Sequence, residues 1–304
     1  MKKILIAGIG GTGGFFGGKL AYYYFNSADT EVYFLCRGEN LKVIREKGLQ
    51  VESEDGTFTV HPKLATDNSE EFGTVDLLIC CTKTYDLEQT LQQLNSCIDS
   101  ETVILPLQNG VDSFERVQKL YPQNEIWRGC VYIVSRLVKP GLVVDSGNIR
   151  KLFFGTLDGT SKKLPEAENL FKEAGIDTTL SQNILQTTWE KFIFISAMAS
   201  LTSYQDKTIG QVFEDPESCK LLYLLLTEIR AVANAKGILF SENSIEKTID
   251  KMKTLSYQTT SSMHSDFQNN KQTEVESLIG YVIKQGRQNN IATPTYEMIY
   301  RKLK

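Results

Sequence analysis

Residues 8–14 read GIGGTGG, and this glycine-rich stretch decides the fold class. Glycine loses more conformational freedom on folding than any other residue, so such a run marks either a loose linker or a backbone path that excludes side chains. A strand-like sequence at residues 4–7 precedes the run, and a helix-like sequence follows it. Gly8, Gly10 and Gly13 therefore fit the G-x-G-x-x-G pattern in the context that dinucleotide binding requires.

The pattern gives each glycine a separate role. The first makes a tight turn, the second lets the backbone approach a pyrophosphate, and the third permits close packing of helix on strand. Small residues also recur at Gly13, Gly17 and Ala21, on one helix face, which favours a close approach to a sheet over a flexible linker. N–H groups at a helix start bind phosphate. We therefore expect a cofactor loop, with a purely structural glycine turn as the alternative; its residues are Gly8, Ile9, Gly10, Gly11, Thr12 and Gly13.

The rest of the chain divides into an alternating part and a helical part. Strand-like segments at residues 31–36, 75–82 and 102–107 alternate with helix-like ones at 15–25 and 87–94, which predicts a parallel, doubly wound sheet. Residues 130–155 read as a hairpin around Pro140 and Gly141, which we expect to add antiparallel strands to that sheet.

Helices dominate from residue 182 onward. The clearest one begins at the Asp215–Pro216 cap and ends at Gly237. We predict an α/β protein with a Rossmann-type domain at residues 1–181 and an all-helical domain at residues 182–304.

Composition excludes several classes of partner. The 304 residues are 41% hydrophobic and carry a net charge of −4, which is not the signature of a nucleic-acid-binding surface. No apolar run approaches the roughly 18 residues of a membrane helix, and glycines interrupt the one stretch that resembles a signal peptide. The six cysteines show no disulfide or metal-site spacing. We expect no nucleic acid, membrane or metal partner, and a reducing, cytoplasmic location.

Arg37 indicates which dinucleotide binds. NAD-binding proteins usually carry an acid at the end of the second strand, where it binds the ribose 2′-hydroxyl. This chain has FLCRGEN at residues 34–40, with Arg37 at that place and no acid before Glu39. Because a guanidinium can bind a 2′-phosphate through two N–H groups, we predict NADP (NADPH) as the cofactor. A solvated surface arginine is the alternative.

Polar residues follow two further strands of the predicted sheet. Lys83 comes after the strand of residues 75–82, and Asn109 after that of residues 102–107. Ligands of open α/β sheets bind at the carboxyl ends of the strands, so both side chains are candidates for cofactor or substrate contacts. Either one alone could equally be a solvated loop residue.

At this point the chain resembles the ketopantoate reductase (2-dehydropantoate 2-reductase) family. The resemblance extends over nearly the whole chain, and its motifs are GIGGTGGFFGGKLA (8–21), CRGENL (36–41), CTKTY (81–85), LQNGV (107–111), WEKF (189–192), SSMHSDF (261–267), TEVES (273–277) and ATP (292–294). It implies a Rossmann domain, a helical domain and an active site in the cleft between them. It also implies NADPH-dependent reduction of a 2-oxo acid to the 2-hydroxy acid. The association state stays open, with a homodimer among the alternatives.

The resemblance also implies roles for individual residues. Lys191 matches the family's proton donor, and Glu274 matches the acid that orients this lysine and approaches the cofactor. Asn109 matches an asparagine that contacts substrate and cofactor, Lys83 a cofactor-side lysine, and Ser262 a serine that holds the substrate. A positioned acid suits the chemistry, because hydride arriving at a carbonyl carbon leaves negative charge on the oxygen. A lysine whose stem packs on apolar surface while its head stays in water is the alternative for Lys191.

The residues on the helix face that carries Lys191 differ from those usual in the family. Members usually carry asparagines four and eight residues after the lysine, whereas this chain has Ile195 and Ala199. A more apolar substrate follows as an expectation. The alternatives are an NADP-dependent reductase of a different 2-oxo acid or ketone, or a non-catalytic dinucleotide-binding regulatory protein. Any role of His264 is left open.

Overall fold

The computed structural model describes residues 1–304, which form twelve strands and twelve α-helices. The strands are β1 (Lys3–Ala7), β2 (Glu31–Leu35), β3 (Leu49–Ser53), β4 (Gly56–Val60), β5 (Leu64–Thr66), β6 (Leu77–Cys80), β7 (Val103–Pro106), β8 (Arg128–Tyr132), β9 (Ser135–Lys139), β10 (Leu142–Asp145), β11 (Lys151–Gly155) and β12 (Asp177–Leu180). The helices are α1 (Gly11–Tyr23), α2 (Gly38–Lys47), α3 (Leu87–Gln93), α4 (Ser113–Leu120), α5 (Lys163–Glu173), α6 (Ile184–Gln205), α7 (Ile209–Glu214), α8 (Pro216–Ala235), α9 (Ser244–Lys253), α10 (Ser262–Gln268), α11 (Tyr281–Gln288) and α12 (Pro294–Leu303). A π-helical turn, Glu276–Gly280, precedes α11.

The chain folds into two compact units. The first comprises Met1–Gln108 and Ser113–Ile184, and the second comprises Asn109–Asp112 and Leu185–Lys304. The division after Ile184 lies three residues beyond the boundary expected from the sequence. The short segment Asn109–Asp112 groups with the helical unit, although the sequence pattern assigned it to the first domain.

A five-stranded parallel sheet organises the first unit. Its strand order is β5-β2-β1-β6-β7, which is the order of the first five strands of a Rossmann sheet. Alternate residues of β1 face opposite sides: Ile4 and Ile6 enter one apolar core, while Leu5 and Ala7 enter another. Both faces are covered, which explains the continuous apolar character of these strands and confirms the predicted doubly wound sheet.

The hairpin of residues 130–155 does not extend this sheet, so that prediction was wrong. Strands β9 and β10 do pair antiparallel around a turn with Gly141 at φ +75°, but they join β3 and β4 in a separate sheet ordered β4-β3-β10-β9. Strand β8 instead joins a third sheet ordered β12-β11-β8.

The packing of helix α1 explains why the hairpin belongs to a separate sheet. Glycines leave α1 without side chains on two of its faces. On one face a Cβ at Gly17 would come within 2.9 Å of Ile6 in the parallel sheet. On the other face a Cβ at Gly14 would come within 2.5 Å of Val143, and one at Gly18 within 2.8 Å of Val51. The helix is thus packed directly between two sheets, and the hairpin covers its second face rather than a sheet edge.

The second unit is built from α6 to α12 around α8. Asp215 caps α8 by accepting from the N–H of Glu217, Pro216 occupies the first turn, and Gly237 follows the end at φ +80°, which confirms the predicted start and stop. Glu228 is buried within α8 and accepts the N–H groups of Thr295 and Tyr296, so it caps the start of α12. None of the chain's helices combines the length and apolarity that crossing a bilayer demands.

Candidate active site

The glycine loop between β1 and α1 has the geometry of a phosphate-binding turn. Gly8 has φ +96°, and a Cβ there would lie 2.8 Å from Thr82. A Cβ at Gly13 would overlap the carbonyl oxygen of Gly8, whereas one at Gly10 would meet nothing within 4 Å. Gly8 and Gly13 are therefore required by the fold, and Gly10 leaves an open approach to the backbone.

The start of α1 is prepared for an anion. Gly10 is its N-cap residue and supplies no side chain to cap the helix, and the first turn contains no acid. Helix starts leave N–H groups that need an acceptor and carry partial positive charge, which together favour a phosphate. Gly11 and Thr12 of the predicted loop lie in this turn and are half-buried.

Asn40 fixes the loop and was not identified from the sequence. Its Nδ2 donates to the carbonyl of Ile9 at 3.1 Å, and its Oδ1 accepts from the N–H of Gly141 at 2.8 Å. One amide side chain thus ties the glycine loop to the β9–β10 turn. The only sequence signal was its place in the motif CRGENL, since its partner Gly141 lies 101 residues away.

Several buried polar atoms of the first unit have no hydrogen-bond partner in the protein. They are Thr82 Oγ1, both side-chain amide atoms of Gln108, Ser113 Oγ and Ser135 Oγ. Thr82 and Gln108 follow β6 and β7, and a Cβ at Gly11 would overlap the carbonyl oxygen of Ser135. Buried polar groups are normally satisfied, so atoms of this kind fit hydrogen bonds to a bound ligand or ordered water. Together with the uncapped helix start, these atoms fit a dinucleotide.

Arg37 lies where the cofactor ribose is expected. It lies two residues after the end of β2, and 80% of its side chain is exposed while Nη2 lies 3.5 Å from Asp86 Oδ2. The nearest acid along the chain, Glu39, is exposed in the first turn of α2 and lies 4.0 Å from Lys42 Nζ. No acid therefore occupies the end of β2. Lys83, half-buried, begins the short 3-10 turn Thr84–Asp86 after β6.

The cysteines near this edge of the sheet are not nucleophiles. Burial raises the pKa of the Cys36 and Cys80 thiols to about 12, and burial also raises the pKa of Cys81. All six cysteines are free thiols. Because the thiolate is the reactive form, covalent thiol chemistry is disfavoured at these positions.

Lys191 is the central polar group of the second unit. Its Nζ donates to Asn109 Oδ1 at 2.9 Å, so the structure brings together two residues that the sequence placed 82 positions apart. The neighbouring Trp189 and Phe192 are buried and pack edge-on or tilted against each other and Tyr281, which anchors this turn of α6 while the lysine itself stays half-buried. The ammonium is thus directed by an amide oxygen, and its helix turn is held by buried aromatic rings.

The other expected residues of this unit differ in their exposure. Glu274 is only 3% exposed and leads into the π-helical turn, with its carbonyl accepting from the N–H of Leu278. Ser262 is exposed at the start of α10. Its neighbour Ser261 is buried and caps α10 by accepting from the N–H of His264 at 3.0 Å. Among the expected residues, Lys191 and Asn109 are joined by a side-chain hydrogen bond.

The helix face that follows Lys191 is apolar. Ile195 is half-buried and Ala199 is fully buried, and both belong to the helical core. Ser196, one position further on, donates to the carbonyl of Leu278 at 2.6 Å and pairs with the Tyr296 hydroxyl, so it serves the core.

His264 is a buried link between α10 and the end of α6. Its Nε2 lies 2.6 Å from Asp206 Oδ1, and this hydrogen bond, followed by that from Gln268, lowers the pKa of Asp206. The arrangement is that of a structural contact.

A glycine loop of this geometry in a parallel sheet, together with a helical unit that directs a lysine ammonium, defines an oxidoreductase that uses a nicotinamide dinucleotide. The chain belongs to the ketopantoate reductase PanE/ApbA family. The N-terminal part of that family matches residues 4–159, and its C-terminal part matches residues 183–304. The predicted family and fold class are confirmed, and membership favours an enzyme over a non-catalytic binding protein.

Known relatives cover the full length of the chain. The crystal structure of 2-dehydropantoate 2-reductase from Porphyromonas gingivalis W83 is 31% identical, covers 99% of both chains and has a TM-score of 0.87. YkpB from Bacillus subtilis (strain 168), described as an uncharacterized oxidoreductase, is 27% identical over 302 residues, which are 99% of this chain and 97% of that protein. D-mandelate dehydrogenase, solved with NADH and anilino(oxo)acetate, shares the fold at 24% identity, with a TM-score of 0.87 over 98% of this chain and 96% of that one.

Proposed function

We propose that the protein reduces the C2 carbonyl of 2-dehydropantoate, or of a closely related 2-oxo acid, with NADPH, and that this reaction serves pantothenate biosynthesis. The observation that carries the proposal is the hydrogen bond from Lys191 Nζ to Asn109 Oδ1 at 2.9 Å. This hydrogen bond orients an ammonium group, which can donate a proton, beside the side-chain amide of Asn109. Family membership and the 2-dehydropantoate 2-reductase relative support the same activity.

In this proposal the first unit holds the cofactor. The loop from Gly8 to Gly13 and the start of α1 bind the pyrophosphate, and Lys83 adds a positive charge beside it. Arg37 binds the 2′-phosphate, because it is exposed at the end of β2 and its carboxylate partner is 3.5 Å away. When bound, a reduced nicotinamide supplies a hydride to the substrate carbonyl carbon. NADPH rather than NADH is the form that Arg37 favours.

The helical unit supplies the groups that act on the substrate. Lys191 Nζ donates a proton to the carbonyl oxygen as negative charge develops there. An ammonium has three N–H donors, so one hydrogen bond to Asn109 orients it toward its remaining partners. Glu274, a buried carboxylate, stabilises the positive charge of Lys191, and Ser262 contacts the substrate. Burial of Glu274 favours this role, because a buried carboxylate needs a positive or hydrogen-bonding partner.

The apolar helix face favours a second candidate substrate. Ile195 and Ala199 offer no hydrogen bond along the helix beyond Lys191. A 2-oxo acid without a distal hydroxyl, such as 2-oxoisovalerate, leaves no polar group unpaired there, and leaving one costs about 1–3 kcal/mol.

Steady-state NADPH oxidation against a panel of 2-oxo acids tests the activity. We expect turnover with 2-oxo acids, and kcat/KM for 2-oxoisovalerate equal to or above that for ketopantoate. Ile195→Asn restores a hydrogen-bonding group, so it should move the preference toward ketopantoate by about 2- to 10-fold, the value of one neutral hydrogen bond. Strong selectivity of the unaltered protein for ketopantoate would exclude the apolar substrate, and no turnover with any 2-oxo acid would exclude the activity. Homodimer formation and a cytoplasmic location stay predictions.

A further inference from the structure

The segment Asn109–Asp112 is attached to the helical unit by three different contacts. Asn109 Oδ1 accepts from Lys191 Nζ at 2.9 Å, and Val111, 6% exposed, belongs to the helical core. Asp112 Oδ2 accepts from Ser277 Oγ at 3.0 Å. Asn109 already has a part in the proposed reaction, whereas Asp112 and Ser277 have none.

Asp112 is an unusual residue to bury. Only 9% of it is exposed, and Ser277 is 2% exposed. Removing a carboxylate from water is costly unless hydrogen bonds compensate, so such a group is kept where it fixes a geometry. Gly110 supports this reading, because it has φ +103° and a Cβ there would lie 3.1 Å from Asp112 Oδ1. The backbone turn at Gly110 thus folds the carboxylate back over its own segment.

Ser277 lies on the other segment that carries a proposed site residue. It is part of the π-helical turn Glu276–Gly280, three residues after Glu274. The Glu274 carbonyl accepts from the N–H of Leu278, so the backbone is continuously hydrogen-bonded from Glu274 through this turn. Single π-helical turns occur frequently at functional sites, where they re-aim side chains.

We propose that Asp112 and Ser277 are positioning residues for the reduction. Their hydrogen bond joins the segment that carries Asn109 to the turn that follows Glu274, and so sets the place at which Asn109 meets the Lys191 ammonium. The inference rests on the proposed function for its effect on turnover, but the contact itself acts on Lys191 whether or not a substrate is present.

The test compares single and double variants of the full-length protein. Ser277→Ala and Asp112→Ala each remove the hydrogen bond, and misplacement of a catalytic group by about 1 Å can lower kcat by about 100-fold. We expect each to lower kcat by about 10- to 100-fold with NADPH affinity unchanged, and the double variant to lose little more, because both act through one contact. Ser218→Ala is the matched control: it removes a buried serine hydroxyl of the same unit that does not contact this turn, and it should reduce thermal stability while keeping kcat. Single variants with the kcat of Ser218→Ala would overturn the proposal.

A second measurement does not depend on turnover. Acetic anhydride modifies exposed or loosely held lysines, and peptide mass spectrometry reports the rate at Lys191 in the protein without substrate. We expect Ser277→Ala to raise that rate several-fold, and Ser218→Ala to leave it unchanged. If the unaltered protein reduces no 2-oxo acid but the rate rises as expected, the proposed function fails and the positioning contact stands. An unchanged Lys191 rate in Ser277→Ala overturns the inference.

Discussion

The candidate sites of the two units are built by different physical means. In the first unit the candidate cofactor site is mostly backbone, and its essential part is the continuous loop from Gly8 to Gly13. In the helical unit the candidate residues are side chains from separate segments, with Asn109, Lys191 and Glu274 spread over 166 positions of the chain. A backbone site is limited by space and φ angle, whereas a side-chain site is limited by placement. Substitutions should therefore damage the first unit by steric exclusion and the second by loss of chemistry.

The largest effect is expected when the proposed proton donor is removed, a change that should leave cofactor binding intact. Lys191→Ala should lower kcat by about 10²- to 10⁴-fold, the usual contribution of a general acid, with the NADPH Kd from fluorescence titration unchanged. Lys236→Ala is the matched control, since Lys236 Nζ also donates to an amide oxygen, that of Gln285, at 2.7 Å. The control should retain kcat. If Lys191→Ala keeps more than about a third of kcat, the lysine is not the donor.

The converse experiment weakens cofactor binding and leaves the fold intact. A Cβ at Gly10 meets no atom within 4 Å and its φ is −95°, so alanine fits the protein itself. The methyl group would occupy the approach to the backbone, and NADPH affinity should fall by about 10- to 100-fold through lost charge-assisted hydrogen bonds. Gly17→Ala should instead lower Tm, because its Cβ would lie 2.9 Å from Ile6. Unchanged NADPH binding by Gly10→Ala would show that the loop is a structural turn only.

Arg37 differs from the glycine loop of the first unit, because its proposed role depends on a side chain. Arg37→Ala should lower NADPH affinity by about 10- to 100-fold and leave NADH affinity nearly unchanged, since only NADPH carries the 2′-phosphate. Arg287→Ala provides the control: Arg287 is also exposed and paired with an acid, Glu297, at 2.9 Å. Equal losses for both cofactors would contradict the assignment.

The smallest effect concerns a side-chain pair that supports the helical unit without taking part in the site. Hydrogen bonds to its carboxylate lower the pKa of Asp215 to about 2. The Lys207 ammonium has the largest effect, the Ser218 hydroxyl the next largest, and the Glu217 N–H a smaller one. Since an unfolded aspartate titrates near 3.9, the ionised form contributes stability above about pH 4 that is lost as the pH falls toward 2.

Asp215→Asn separates this charge effect from helix capping, because asparagine caps a helix as well as aspartate does. We expect the variant to be less stable at neutral pH and to lose less stability than the unaltered protein between about pH 4 and pH 2. Urea titrations across that range measure both. Asp250→Asn, which alters an exposed acid paired with Lys253 on α9, serves as the control. Parallel pH curves for Asp215→Asn and the unaltered protein would contradict the expectation.

The sequence predicts features with local backbone signals better than contacts between side chains from distant segments. The turn from β1 into α1 and both ends of α8 are predicted from the sequence because their signals are local. These signals are glycines, a capping residue and a proline in the first helical turn. The prediction for the hairpin was wrong because the glycines of α1 show two bare helix faces but do not show which distant strands pack on the second one. Asn109 was a candidate from its place after a strand, whereas Lys191 was identified only through a family resemblance, and their hydrogen bond required the fold. Asn40 and the Asp112–Ser277 contact were missed, since their partners lie 101 and 165 residues away.

The two bare faces of α1 also bear on the order in which the protein is made. Helix α1 is among the first elements to leave the ribosome, yet one of its two packing partners includes β10, which ends at Asp145. A helix so poor in side chains gains little from local contacts, and interior glycine disfavours it further. We therefore expect the glycine loop to reach its final shape only after the nascent chain has grown past the hairpin. Until then we expect this candidate cofactor segment to be poorly ordered in the growing polypeptide.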